Sequence, residues 1–272
     1  MHLAILSALL LFIVAAWYIR RRLQHARMIQ LFEAPLDAKY ISLLEAHMRI
    51  YRKLPQKLRD ELHGHINVFL DRKNFIGKAG VEITDQIRIV VAGNACLLLL
   101  QGNGRRFTGF SSILIYPETY VAHGVQHDGL ITSQQPSLRA GESWMRGPIV
   151  LSWADTLAGS SNAEDGHNVV IHEFAHKLDE QSGHMNGLPV LRAHSHYEQW
   201  SQVLNEEFDA LAKRAKNRKN KVLDAYGTVS PAEFFAVATE SFFEKSAQMK
   251  KRLPDLYEQL QTFYKLDPAS WD

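Results

Sequence analysis

Apolar positions follow three different patterns along this chain. The first is continuous. Leu3–Ile19 is seventeen residues broken only by Ser7, with Trp17 and Tyr18 at its end and Arg20, Arg21 and Arg22 immediately after. As a helix it would span about 25 Å, slightly less than the ~30 Å hydrocarbon core of a bilayer. The aromatic pair lies where an interfacial belt belongs. The positive charge follows the run, whereas a cleaved signal peptide carries it in front. The expectation is a membrane anchor over residues 1–22, a single pass through the cytoplasmic membrane with everything after the arginines in the cytoplasm. A linker over 23–38 follows. The alternative is an interfacial or buried helix of a soluble cytoplasmic protein.

The second pattern repeats every three to four residues and predicts helices. Lys39–Arg52 places Ile41, Leu44, His47 or Met48, and Tyr51 on one side. Gln56–Asp71 does the same with Leu58, Leu62, Ile66 and Phe69, after Pro55. Tyr197–Ala215 is helical by the same rule. Ile87–Leu100 is almost wholly apolar, and its length favours a buried helix over a strand. The third pattern is short: Val81–Thr84, Phe110–Tyr116 and Pro148–Trp153 read as strands. Arg72–Gly80 reads as a turn, and Asp155–Gly166, rich in Gly, Ser and Asn, as a loop. The sum is an α+β domain over 39–272, mostly helical, with a small sheet.

Composition changes this picture little. A hydrophobic content of 46% supports a substantial core, and a formal net charge of +2 argues neither for nor against nucleic acid. One cysteine, Cys96, excludes an intrachain disulfide, and its apolar setting suggests a small core residue.

The chemistry concentrates in Asn168–Lys177, NVVIHEFAHK. On a helix His172 and His176 lie about 40° apart around the axis and ~6 Å apart along it. Two imidazoles so placed can hold one Zn²⁺. Glu173 then stands where a general base addresses a water without occupying the metal, the arrangement of a zinc metallopeptidase. The extended H-E-x-x-H-x-x-G-x-x-H pattern fails, because Asp179 and Ser182 stand where Gly and His are required. The third ligand must therefore come from elsewhere. Ser230-Pro231-Ala232-Glu233 opens an apolar helix as a capping box. Glu233 is either a capping carboxylate or the missing ligand. Glu240, seven residues on, is an alternative ligand or a partner for a ligand histidine. Tyr226, in the turn before that helix, can donate to an oxyanion. His123 and His127 are four apart, but Gly124 and Gly129 favour a loop there, and His184 reads as a solvated turn residue. The basic run Lys213–Lys221 reads as a solvated helix end. Pro148–Trp153 is expected to line the cleft and to offer substrate main chain an edge.

HEFAHKLD with GHNVV before it, G-x-x-N-G-x-P after it, and YGTVSPAEFFA together resemble the Mlc titration factor A family of zinc-dependent peptidases, from about Tyr40 to Trp271. The spacing of tyrosine and glutamate is also similar to that in the catalytic domain of anthrax lethal factor, a gluzincin. The resemblance implies a zincin-like domain with the sheet beside the active-site helix. It implies Zn²⁺ on His172, His176 and Glu233, with Glu173 as base and Tyr226 supporting the transition state. It also implies aminopeptidase-like hydrolysis of peptide bonds and binding of an Mlc-like transcriptional repressor. The rival expectation is a zinc protein whose main task is to bind a cytoplasmic regulator. The N-terminal apolar segment departs from the family's soluble members.

Overall fold

The computed structural model describes residues 2–102, 106–118, 120–122, 126–128, 131–133, 137–139, 141–143, 147–216 and 222–271. The chain opens with α1 (His2–Glu33), a single helix of 32 residues, about 48 Å long. It passes through Arg20–Arg22 without a break, so the stretch expected to be a linker is largely the second half of this helix. Apolar side chains between Leu9 and Ile19 are 53–71% exposed. Among the described residues no helix is long and apolar enough to cross a membrane.

Helices α2 (Ala38–His47) and α3 (Arg49–Lys53) split the predicted Lys39–Arg52 helix at Met48, whose backbone is extended. Helix α4 (Gln56–Arg72) follows, then strand β1 (Asn74–Gly77), where a turn was expected. Val81–Thr84 is not a strand; it leads into α5 (Asp85–Leu97), and Thr84 accepts the Ile87 amide as its N-cap. Helix α5 is the buried core helix that its apolar run predicts. Gly93 is required there, because a Cβ would sit 2.7 Å from the Leu44 side chain and 2.8 Å from the Met48 sulfur.

Strand β2 (Ser112–Tyr116) precedes five three-residue strands: β3 (Tyr120–Ala122), β4 (Gln126–Asp128), β5 (Ile131–Ser133), β6 (Ser137–Arg139) and β7 (Gly141–Ser143). Strand β8 (Ile149–Ser152) runs directly into α6 (Trp153–Ser161). The main sheet has the order β1-β2-β8-β7, parallel except for β7, which pairs antiparallel with β8. Two small antiparallel ladders, β3 with β6 and β4 with β5, stand apart from it. Strand β8 is therefore interior and has no free edge; the edge beside it belongs to β7. The remaining helices are α7 (Val169–Asp179), α8 (His196–Lys216), α9 (Pro231–Glu244), α10 (Ser246–Arg252) and α11 (Pro254–Tyr264).

The segment read as a loop, Asp155–Gly166, is mostly α6. Its small residues serve close packing: a Cβ on Gly159 would lie 2.7 Å from the His167 carbonyl oxygen. At the centre of the domain, Phe69 and Phe107 pack on Phe174 of α7, with ring centroids 5.6 and 4.6 Å away. Helix α7 is thus held by aromatic packing on one side and meets β7 and α9 on others. The second half of α1 packs on α4. Phe32 stacks edge-on against His65 at 5.0 Å, and a Cβ on Gly64 would strike the Phe32 carbonyl oxygen at 2.5 Å.

Candidate metal centre

Helix α7 begins at Asn168, whose side chain accepts the Ile171 amide at 3.1 Å. That cap fixes the start of the helix and so directs His172, Glu173 and His176 to one side, while Val170, Ile171 and Phe174 are buried on the other. Helix α9 begins at Ser230, which accepts the Glu233 amide at 3.2 Å, with Pro231 in its first turn. The glutamate carboxylate does not serve as a cap. Its Oε2 lies 2.9 Å from His172 Nε2 and 3.4 Å from His176 Nε2. The two Nε2 atoms are 3.2 Å apart. Among the described residues, His172, His176 and Glu233 form a group whose ligand atoms all lie within 4.8 Å of one another.

This donor set fits a metal ion. Two imidazole nitrogens at 3.2 Å beside a carboxylate oxygen require a proton or a cation between them. Two nitrogens and an oxygen are the ligands that leave a tetrahedral ion one open position. Glu240, from the same helix as Glu233, lies behind the group: its Oε1 is 2.8 Å from His172 Nδ1. That contact leaves Nε2 as the ring nitrogen that faces Glu233, and it places Glu240 outside the ligand group. The other Glu240 oxygen accepts the Asn168 amide at 2.6 Å, at the positive end of α7.

The electrostatics follow the geometry. Burial opposes the charged form of His172, but the carboxylates of Glu233 and Glu240 outweigh it and hold the imidazole pKa well above its ordinary value. Burial likewise works against ionised Glu233, and the two histidines overcome it, bringing its carboxyl down to about 2. Behind Glu240 lies Glu244, whose carboxyl is raised well above the usual range by burial, with the charge of Glu240 adding to the effect. Asn168 joins this layer, donating from Nδ2 to Glu244 at 3.1 Å and to Asn94 of α5 at 3.0 Å.

Four more residues complete the surroundings. Glu173 is buried beside its neighbours on α7. Tyr226 sits in a 3₁₀ turn, Ala225–Thr228, capped by Asp224, with its ring centroid 5.9 Å from that of His172. It is 52% exposed and stands at the mouth of the site. Asp179, at the end of α7, accepts the Gly187 amide at 2.7 Å. Its other oxygen and His176 Nδ1 are both buried without a hydrogen-bond partner among the described residues. Gly187 has a positive φ of 76°, gives its carbonyl to Trp200 Nε1 at 3.1 Å, and leaves no space for a Cβ, which would lie 2.4 Å from the Pro231 carbonyl oxygen.

The five residues singled out from the sequence, His172, Glu173, His176, Tyr226 and Glu233, thus lie on three adjacent elements around one point. The structure resolves the position of Glu240, and it adds Asn168, Asp179 and Gly187. Those three stood inside GHNVV, HKLD and G-x-x-N-G-x-P, where an N-cap asparagine and a turn glycine were the available signals. His184 is exposed, as expected of a turn residue. His123 lies outside the described residues, as do positions 217–221 of the basic run.

Comparison with known proteins agrees with this geometry. Residues 19–265 match the family described as glucose-regulated metallo-peptidase M90. An uncharacterized protein of Synechocystis, slr2042, is 36% identical over 241 residues, 88% of each chain. The Mlc titration factor A proteins of Yersinia pestis and Yersinia pseudotuberculosis are 36% identical over 206 residues, covering 74% of this chain and 75% of theirs.

Proposed function

The chain belongs to the glucose-regulated metallo-peptidase family M90, and on that premise we propose that it is a zinc-dependent peptidase, aminopeptidase-like in its choice of substrate. The observation that carries this reading is the convergence of His172, His176 and Glu233 beside the buried Glu173, with Glu240 on the far nitrogen of His172. Zinc, when bound by these three side chains, supplies a Lewis acid for the scissile carbonyl and lowers the pKa of a water toward neutrality. Glu173 takes the proton of the attacking water and returns it to the leaving amine. Tyr226, exposed at the mouth, donates its hydroxyl to the oxyanion. Glu240 keeps His172 in one orientation and one tautomer. Substrate main chain is assigned to the edge of β7, which lies beside α7 and has β8 on only one side.

Two further assignments belong to this reading. The relatives named Mlc titration factor A suggest a repressor of the Mlc type as a protein partner of this chain. The exposed apolar half of α1, followed by three arginines, is assigned to the cytoplasmic membrane, with the domain on the arginine side.

The test replaces one atom of the base. Glu173→Gln should retain about one zinc per chain. Its hydrolysis of aminoacyl and blocked peptide substrates should fall by about 10²–10⁴-fold. Turnover equal to wild type would remove Glu173 from the chemistry. Zinc on the wild-type chain without hydrolysis of any substrate would favour a protein whose role is binding the regulator.

A further inference from the structure

A cleft of about 600 Å³ opens between the second half of α1, the last turns of α4 and the segment after α5. It lies behind the phenylalanine face of α7, and the metal ligands are not among its lining residues. Its volume is that of a small-molecule site. Ile29, Phe32, Val68, Phe69 and Phe107 form its apolar wall. Two of these large side chains remain open to it, Ile29 at 42% and Phe32 at 39% exposure.

The polar lining is predominantly cationic. Arg72, Lys73 and Arg106 line the cleft together with His25 and His65, against Glu33 and Glu61. Glu61 is already engaged: it accepts from the Gln101 amide at 2.7 Å and from its side chain at 2.6 Å, with His65 alongside. Lys73 is engaged as well, donating to the carbonyl oxygens of Phe107 and Phe110 at 2.9 and 2.7 Å over the Phe110 ring. Its buried charge nonetheless lies beneath the floor. Arg72 and Arg106 are exposed and have no carboxylate partner among the described residues. An apolar cleft with two uncommitted guanidinium groups suits a ligand with a hydrocarbon body and a planar anionic end, because a carboxylate can accept two hydrogen bonds from one guanidinium. The same helix that walls the cleft continues, through Arg20–Arg22, into the exposed apolar stretch Leu9–Ile19, so cleft and apolar stretch share one helix with a cationic band between them.

We propose that this cleft binds a single-chain acyl carboxylate, a long-chain fatty acid, with its tail against Ile29, Phe32, Phe69 and Phe107 and its carboxylate at Arg72 and Arg106. The volume takes one chain, not the two of a phospholipid. Phe69 and Phe107 are also the rings that support Phe174 of α7, so the tail rests on the side chains that hold the motif helix in place.

The test uses the full chain in membrane vesicles and a fatty acid carrying a diazirine in its tail. After irradiation, labelled peptides should include those containing Phe32, Phe69 or Phe107. Excess oleate should remove the label; octanoate and oleyl alcohol, which lack the tail or the charge, should not. Arg72→Glu and Arg106→Glu, at exposed positions that leave the fold intact, should each reduce labelling at least tenfold while Leu9–Ile19 labels as before. Val68→Trp, which fills the cleft, should reduce it similarly. Labelling confined to Leu9–Ile19, or unchanged in both arginine variants, would overturn the proposal. So would efficient labelling of the same peptides by a diazirine phosphatidylglycerol in preference to the fatty acid. Because the readout is labelling and not hydrolysis, it is independent of the peptidase reading.

Discussion

The first half of α1 and the junction of α7 with α9 invert the usual distribution of side chains in opposite directions. Between Leu9 and Ile19, large apolar groups face outward over several turns of helix. At the junction, Glu173, His176, Glu240 and Glu244 are buried at 6% exposure or less. Exposed apolar surface of this extent marks a surface that meets something else. Buried charge is costly unless each group is paired. The junction meets much of that requirement internally, through Asn94, Asn168 and the histidine–carboxylate contacts, while His176 Nδ1 and one oxygen each of Asp179 and Glu244 have no hydrogen-bond partner among the described residues. The large apolar side chains of Leu9–Ile19 are left exposed by the rest of the described residues. The first region is therefore tolerant of change in the folded domain and the second is not.

The strongest challenge to this contrast is at the mouth of the junction. Tyr226→Phe removes one hydroxyl from a half-exposed side chain. It should lower kcat by about 10²–10³-fold with KM little changed, as loss of an oxyanion donor does. A change in KM alone, measured on the same peptide substrates, would assign Tyr226 to binding. One layer deeper, Glu240→Gln keeps the shape but removes the charge behind His172. Zinc affinity, measured by competition with a chromophoric chelator, should fall about 10–100-fold. An unchanged affinity would mean that the His172 contact is not used. The smallest effect is expected in the other region. Deleting residues 1–19 should leave the stability of the domain within about 0.5 kcal/mol, as expected for surface changes, and release the protein from vesicles. A large loss of stability would show that the apolar half of α1 does have a partner in the fold.

The sequence exposed the two regions unequally. The site was legible because its signals are local: a four-residue histidine spacing, and a serine, proline and glutamate that open α9. What remained open was long-range. Seven residues separate Glu233 from Glu240, which puts both on one face of a helix, but only the crossing of α7 and α9 assigns one to the histidine pair and the other to the far ring nitrogen. Helix α6 was concealed by its own composition, since Gly159 is there to admit the His167 backbone and Ser160 donates to the His47 carbonyl oxygen. Strand β1 has four residues, and nothing within Asn74–Gly77 announces its pairing with β2. The edge of the sheet depends on where β7 pairs, 141–143 against 149–151, which no periodicity in Pro148–Trp153 records. The helical second half of α1 depends on Phe32 meeting Gly64, a contact between residues 32 apart.

Gly187 carries a consequence of another kind. Its amide, its carbonyl and its bare Cα are each taken by a different element: Asp179 at the end of α7, Trp200 of α8, and the Pro231 carbonyl at the start of α9. A turn tethered in this way is a rivet, not a hinge. Its amide should exchange with deuterium on the timescale of global unfolding, slower than its place in a surface turn suggests. In a library of all twenty residues at position 187, only glycine should survive selection for metal binding.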